Sequence, residues 1–289
     1  MGSVGSSFNM RTSLPSSAPI YLILILTIFM VFQHDYNTTY KVITNNEEII
    51  EDDELYARQS MIEMRRDALD KSEEMRMNLR KASMVNDSLA FFKSLHIEAY
   101  CPNIVRVGEH GDGGKMVCNP KKVRDDCVLM SLGLDNKIVY DEHIQNLTNH
   151  RCQIVAADDK LQKNSTLLKY KALRGTIFVG TIPKNLSMSE MLKRVGGTEV
   201  ELLKMDIENG EHTALIPFLR KHFVCQILIE IHGWPMKQFS LIRKIAKLGF
   251  RLFSYEPNPL CINCCEYSYI NEMCMSQYNV LPLGITIPF

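Results

Sequence analysis

Net charge is the first thing this sequence lacks. Its 33 Lys and Arg are balanced by 33 Asp and Glu, so the total points neither to nucleic acid nor to an acidic membrane surface. The charge that does cluster, acidic from Glu47 to Glu54 and basic at Arg65, Arg66, Arg76, Arg80 and Lys81, reads as a solvated face rather than a binding patch. Internal repeats are missing too, which excludes a solenoid or propeller. The 289 residues suit one domain of about 150–200 residues with an N-terminal appendage, long enough for a core without disulfide staples.

Charge is absent altogether from Pro19 to Phe32, PIYLILILTIFMVF. Extended back to Leu14, the uncharged stretch reaches about 19 residues, within the 17–25 or so that a spanning helix needs, particularly in a thin early-secretory membrane. A cleaved signal peptide is the rival. It wants small residues before the cut, and Val31-Phe32-Gln33-His34-Asp35 offers none. Ile, Leu and Phe on every face argue against a buried soluble helix. An uncleaved signal-anchor is therefore expected. Arg11 precedes the span and Asp35 follows it, which puts the N-terminus in the cytosol. Five Asn-X-Ser/Thr acceptors, at Asn37, Asn86, Asn146, Asn164 and Asn185, and nine cysteines fit a domain in the oxidising lumen. The expected topology is a single-pass type II membrane protein of the Golgi or endoplasmic reticulum.

Residues 1–18, rich in Ser, Gly and Pro, read as a cytosolic tail, and 33–90 as a polar linker followed by a stem. Proline and glycine are absent from Glu51 to Lys93, where good helix formers dominate. Leu55, Ile62 and Leu69 recur every seven residues without a filled second core position, so a helical stem is favoured and a dimeric coiled coil is the alternative. From 91 to 289 apolar, β-branched runs alternate with helical patterns, the mark of βαβ units around a parallel sheet. The strands are expected at Cys127–Gly133, Gln153–Ala157, Thr176–Val179, Val200–Ile207, Cys225–Ile231 and Phe250–Tyr255, and Val280–Ile287 as an antiparallel or edge strand. Helices fall at Asp141–Asn149, Ser187–Val195, Glu211–His222 (interrupted by Pro217) and Met236–Leu248.

In open α/β sheets ligands sit beyond the carboxyl ends of strands. The first strand ends Ser131-Leu132-Gly133-Leu134-Asp135-Asn136, where Gly133 would let backbone approach a ligand. Because this is not GxGxxG, a dinucleotide site is disfavoured; a plain turn capped by Asp135 is the alternative. The second strand ends at Asp158, placed to accept ribose hydroxyls or to cap a helix. The fourth releases Lys204, Asp206, Glu208, Asn209 and Glu211. Asp206 and Glu208 share a side if the strand continues, which suggests catalysis, hydroxyl binding or a metal, whereas Glu211 reads as a first-turn helix carboxylate. On the fifth strand Glu230 follows the apolar run Ile227-Leu228-Ile229 and needs a partner. His232 projects to the same side and could act as a general base near neutral pH; a satisfied core Glu and a capping His are the alternative.

KMDIENGE followed about 20 residues later by IEIHG resembles the methyltransferase-like 24 family and, more distantly, the FkbM-type O-methyltransferases. Arg106–Cys118, with its DGG, and Ser131–Asn136 also resemble segments of that family, and the four motifs run in order across about residues 100–255. The resemblance implies a Rossmann-like class I methyltransferase sheet with helices on both faces and S-adenosylmethionine as cofactor. It places Gly113, Gly114, Ser131, Gly133 and Asp135 near the cofactor and Asp158 on its ribose. Asp206, Glu208, Glu230 and His232 would face the transferred methyl group, with no metal ligand set assigned. A hydroxyl of a glycan or small molecule is the expected acceptor. A type II glycosyltransferase shares the layout, and Asp206-Ile207-Glu208 imitates its metal-binding motif. A non-catalytic luminal module is the third reading.

Cys261, Cys264, Cys265 and Cys274 would raise zinc in the cytosol. In the lumen, disulfides among them or with Cys101, Cys118, Cys127 and Cys152 are expected. Nine is odd, and Cys225, inside an apolar strand, reads as an inert buried thiol.

Overall fold

A computed structural model of the chain describes residues 58–110 and 113–289. The expected tail, membrane span and linker lie outside the described residues. Among those described, no helix is long and apolar enough to cross a membrane.

Two helices, α1 (Ser72–Ser83) and α2 (Ser88–Lys93), lead into the short β1 (Ala99–Tyr100) and a hairpin, β2 (Ile104–Val107) with β3 (Lys115–Cys118). The alternating unit then follows: β4 (Val128–Leu132), α3 (Val139–Leu147), β5 (Gln153–Asp158), α4 (Asn164–Ala172), β6 (Gly175–Val179), α5 (Met188–Arg194), β7 (Val200–Met205), α6 (Glu211–Leu219), β8 (Val224–His232) and α7 (Pro235–Lys247). It closes with β9 (Phe250–Pro257), β10 (Cys264–Asn271) and β11 (Leu281–Pro282). Seven strands form the main sheet in the order β6-β5-β4-β7-β8-β10-β9. β4 to β8 are parallel, and β10 runs antiparallel to both β8 and β9.

Two apolar layers flank this sheet. Alternate residues feed them, as strand geometry requires: Val128, Met130 and Leu132 of β4 join one core while Leu129 joins the other. The first core is covered by α1, α2, α5, α6 and α7; the second by α3, α4, the β2–β3 hairpin and the 274–280 turn. Every residue of β7 and β8 is buried, which is why those segments read as nearly continuous apolar runs. Local signals agree with the ends: Ser187 caps α5 through the Glu190 N–H, and α7 starts on Pro235 and stops before Gly249 at φ +84°.

The structure corrects two expectations. Pro217 does not interrupt its helix; α6 runs through it to Leu219, because only the last turn loses a hydrogen bond. Of the edge strand expected over 280–287, only Leu281 and Pro282 pair, antiparallel to β1, and the prolines limit any longer ladder. After β9 the chain forms β10, a strand to which sequence analysis assigns nothing, inserted between β8 and β9. Met61–Phe289 form one compact unit. Within the expected stem, α1 packs on α7, buries Leu79 and donates from Arg76 to the Ile285 carbonyl at 2.8 Å. Ile62 and Leu69 stay about half exposed.

Eight cysteines pair as Cys101–Cys118, Cys127–Cys152, Cys225–Cys274 and Cys261–Cys264. Cys225, read as the inert thiol, is thus bonded, and the buried free thiol is Cys265. The apolar run around Cys225 hid the partner that the 274–280 turn brings to it.

Candidate active site

The strand order reverses between β4 and β7, and there a cavity of about 740 Å³ opens at the carboxyl ends of β4, β5, β7 and β8. Gly133 ends β4 at φ +80°, and a Cβ there would lie 1.7 Å from the Asp206 carbonyl oxygen. Only glycine permits the β4 and β7 ends to close together. Asp135 and Asn136 follow in left-handed conformations, which their short polar side chains tolerate.

Asp158 holds this loop in place. One carboxylate oxygen accepts the N–H groups of Leu134 at 2.8 Å and Asp135 at 2.7 Å; the other accepts that of Lys160 at 2.9 Å. The carboxylate expected on ribose hydroxyls is buried and bound to backbone, while Asp159 beside it is exposed at the cavity. Ser131 does not reach the cavity: its hydroxyl is buried beneath the loop near Asp141 and Tyr170. Gly113, at φ +83°, lines the cavity from the β2–β3 side. Gly114 instead admits a carbonyl, since a Cβ there would lie 2.0 Å from the Glu109 oxygen.

The four residues expected to face the methyl group do converge, although β7 stops at Met205. A turn, not strand alternation, brings Glu208 round, at φ +50°. His232 Nε2 then lies 3.5 Å from a Glu208 oxygen and 4.0 Å from an Asp206 oxygen. Its other nitrogen, Nδ1, is 3.3 Å from Glu211, which also accepts the His232 backbone N–H at 2.9 Å. Glu211 stands in the first turn of α6, as its position in the sequence suggested, and is wholly buried.

Electrostatics set the protonation states. Burial would lower His232, but the Glu211 hydrogen bond and charge, with Glu230 and Asp206, outweigh it and push the imidazole up to about 9. The acidic surroundings thus favour the protonated imidazole, with Glu211 and Asp206 the charged partners. Burial, reinforced by Asp206 and Glu266, pushes Glu230 up to about 8. The buried Glu230 is thus a neutral acid near pH 7, and accepts from Asn258 at 2.7 Å. Burial would also raise Asp206, but Lys115 and Lys204 hold it below the usual carboxylate range.

Both lysines lie under the cavity floor. Lys204 donates to the Gly133 carbonyl at 2.6 Å, and burial lowers it, with Lys115 adding to the effect. Lys115 sits 2.5 Å from Glu266 and 3.8 Å from Asp206; burial opposes its charge, but those carboxylates keep its pKa above the ordinary value. Sequence reasoning missed Lys115, Glu211, Asn258 and Glu266. The Lys immediately after Gly113-Gly114 and the charge at Glu266 amid strand-forming tyrosines were the available signals.

Three side-chain sets bring possible metal-ligand atoms within 4.8 Å of one another: Glu230, His232 and Cys264; Asp206, Glu230 and Glu266; and Asp206, Glu208 and His232. Cys264 is already bonded to Cys261, and the Lys115 ammonium serves Asp206 and Glu266. The third set faces the cavity.

A family model described as a methyltransferase domain matches residues 57–271. The chain belongs to this methyltransferase family. Methyl transfer is accordingly its reaction class, and the sheet with helices on both faces is the Rossmann-like methyltransferase fold. The chain is also similar, distantly, to several solved structures. Aeropyrum pernix fibrillarin, in complex with natively bound S-adenosyl-L-methionine, is 13% identical over 52% of this chain and 68% of its own, with a TM-score of 0.40. The Methanococcus jannaschii fibrillarin pre-rRNA processing protein is 12% identical over 59% and 82%, TM-score 0.39. Precorrin-6y C5,15-methyltransferase of Geobacter metallireducens is 10% identical over 52% and 82%, TM-score 0.34. Likeness at this level says nothing about substrate. No curated protein matches the chain.

Proposed function

We propose that the chain is an S-adenosylmethionine-dependent methyltransferase of the secretory pathway that methylates a hydroxyl on a glycan or small molecule. The observation that carries this reading is the cavity at the strand-order reversal, with a glycine-bounded backbone loop at one end and a carboxylate–imidazole cluster at the other. Its lining fits the cofactor's charge. Six carboxylates, Glu109, Asp135, Asp158, Asp159, Asp206 and Glu208, outnumber the three lysines and His232 of the lining, an environment that favours a sulfonium over the phosphates of a dinucleotide or nucleotide-sugar.

In this reading the backbone at Gly133–Asp135 and the exposed carboxylates of Asp135 and Asp159 hold the cofactor, with Gly113 and Gly114 shaping the wall opposite. Asp158 acts one step back, fixing the loop. S-adenosylmethionine supplies an electrophilic methyl group. Asp206, Glu208 and His232 bind and orient the acceptor oxygen, and Glu230 with Asn258 keeps that end of the cavity ordered. Family membership favours this over the glycosyltransferase reading.

The secretory assignment is supported by four disulfides in one domain and by the exposure of Asn86, Asn146, Asn164 and Asn185. The uncharged run 19–32 would supply the membrane anchor. Calorimetric titration of the full chain with S-adenosylmethionine and its demethylated product tests the reading. Micromolar binding that Asp159→Asn weakens and Asp158→Ala abolishes is the expected outcome. No binding by folded, disulfide-intact protein would leave a non-catalytic module.

A further inference from the structure

We infer that Asp206, Glu208 and His232 form a divalent-cation site at the acceptor end of the cavity, a proposal that rests on the methyltransferase reading for its purpose but not for its geometry.

The ligand chemistry is mixed, one imidazole nitrogen and two carboxylates, which suits Mn²⁺ and similar first-row cations better than a hard all-oxygen site would. All three side chains line the same cavity, and their ligand atoms lie within 4.8 Å of one another. Metal–ligand bonds of about 2.1 Å place neighbouring ligand atoms about 3.0–3.4 Å apart. The observed 3.5 Å from His232 Nε2 to Glu208 and 4.0 Å to Asp206 are therefore slightly wide. Glu208, whose side chain is 85% exposed, can close its own gap, whereas Asp206 and His232 must approach each other by roughly 0.6 Å or more.

The second observation lies behind the ligands. Imidazoles that bind metals almost always donate their other ring N–H to a carboxylate or carbonyl, which fixes the tautomer and aims the free nitrogen. The buried Glu211 does this at Nδ1 and grips the His232 backbone N–H with the same oxygen. The contact fixes the imidazole's aim as a ligand histidine requires, and a bound cation would take the place of the Nε2 proton. Three protein ligands on one side leave the remaining coordination positions directed into the cavity. A hydroxyl oxygen of the acceptor, or two adjacent ones, would occupy them, which narrows the acceptor class to chelating hydroxyl compounds such as vicinal diols.

The test uses the full chain in detergent, stripped with chelator, and Mn²⁺ alone as the probe. Loss of the free Mn²⁺ electron paramagnetic resonance signal should report one ion per chain with micromolar affinity. Spin-echo modulation should show a directly coordinated nitrogen. His232→Gln should remove that modulation and most of the binding. Glu208→Gln, a change at an exposed position that leaves the fold intact, should weaken affinity at least about tenfold, and Glu211→Gln about 10–100-fold. Free Mn²⁺ unchanged to about 1 mM in folded protein, or binding indifferent to His232→Gln and Glu208→Gln, would overturn the proposal. Titrating the same samples with S-adenosylhomocysteine separates the two readings: cofactor binding without Mn²⁺ binding defeats only the cation site. Mn²⁺ binding without cofactor binding defeats only the methyltransferase assignment.

Discussion

Glu211 and His232 are joined at two points by a single carboxylate oxygen, which lies 2.9 Å from the histidine's backbone nitrogen and 3.3 Å from its Nδ1. The contact ties the first residue of α6 to the last residue of β8, and so couples the position of a helix to the aim of the imidazole. Replacing Glu211 by Gln should keep the packing and remove the charge. The His232 pKa, read by nuclear magnetic resonance in metal-free protein, should then fall, and methyl transfer should slow about 10–100-fold. An unchanged His232 titration would show that Glu211 is only a structural carboxylate.

The pH dependence of stability has a defined sign. His232 is raised from 6.5 to about 9, so its contribution is complete below pH 6.5 and disappears as pH climbs through about 9. Glu230 is raised from 4.5 to about 8. Its folded form favours the proton, so stability is also lost as pH climbs from 4.5 to about 8. Both slopes run the same way, and the melting temperature of the metal-free chain should decline across this range. His232→Gln should flatten the upper part of the curve and Glu230→Gln the lower part. A melting temperature that rises with pH would contradict these assignments.

Two glycines of the cavity wall should respond differently to alanine. Gly113 is at φ +83° with nothing within 4 Å of the position a Cβ would take, whereas a Cβ on Gly133 would lie 1.7 Å from the Asp206 carbonyl oxygen. Gly113→Ala should cost about 1 kcal/mol of conformational strain. Gly133→Ala must also part β4 from β7, and should cost about 3 kcal/mol or more in urea unfolding. Equal costs would mean that β4 and β7 do not close at Gly133.

Much of this molecule can be read from its residues. Apolar runs with β-branched side chains mark β4 to β9, most continuously in β4, β5, β7 and β8, which are buried on both faces, and the strand ends point to Asp206, Glu208, Glu230 and His232. What stays hidden depends on partners far along the chain. The Lys115–Glu266 pair spans 151 residues, and without Lys115 the charge of Glu266 argues against a buried strand; this is why β10 is not apparent. Cys225 lies in an apolar run that suggests an unpaired thiol until Cys274 is placed beside it. Glu211 has the pattern of any first-turn acid, and only the course of β8 reveals its contact. The left-handed turn at Glu208 likewise has no clear local signal, since the residue is neither Gly nor Asn.

The Lys115 pairing carries its own prediction. Lys115→Met leaves Glu266 buried without its cation and Asp206 without one of its two, and should destabilise the fold by about 3–5 kcal/mol. Adding Glu266→Gln should recover more than half of that loss in denaturant unfolding. Strict additivity of the two changes would argue against a direct pair.

Thiol chemistry checks the cysteine assignment. Eight of the nine cysteines are bonded and Cys265 is buried. Native protein should therefore take up no thiol reagent, and unfolded, unreduced protein should take up one equivalent, located at Cys265. Label at Cys225 would contradict the Cys225–Cys274 bond. Removing that bond with Cys225→Ser should cost about 2–5 kcal/mol.

The central claim is that the cavity between the ends of β4, β5, β7 and β8 receives S-adenosylmethionine. Ultraviolet cross-linking of the radiolabelled cofactor to the full chain, followed by peptide mapping, tests it most directly. The account predicts a cross-link, competed by S-adenosylhomocysteine, within residues 133–137 or 157–160. A competed cross-link mapping elsewhere, or none from folded protein at saturating cofactor, would contradict it.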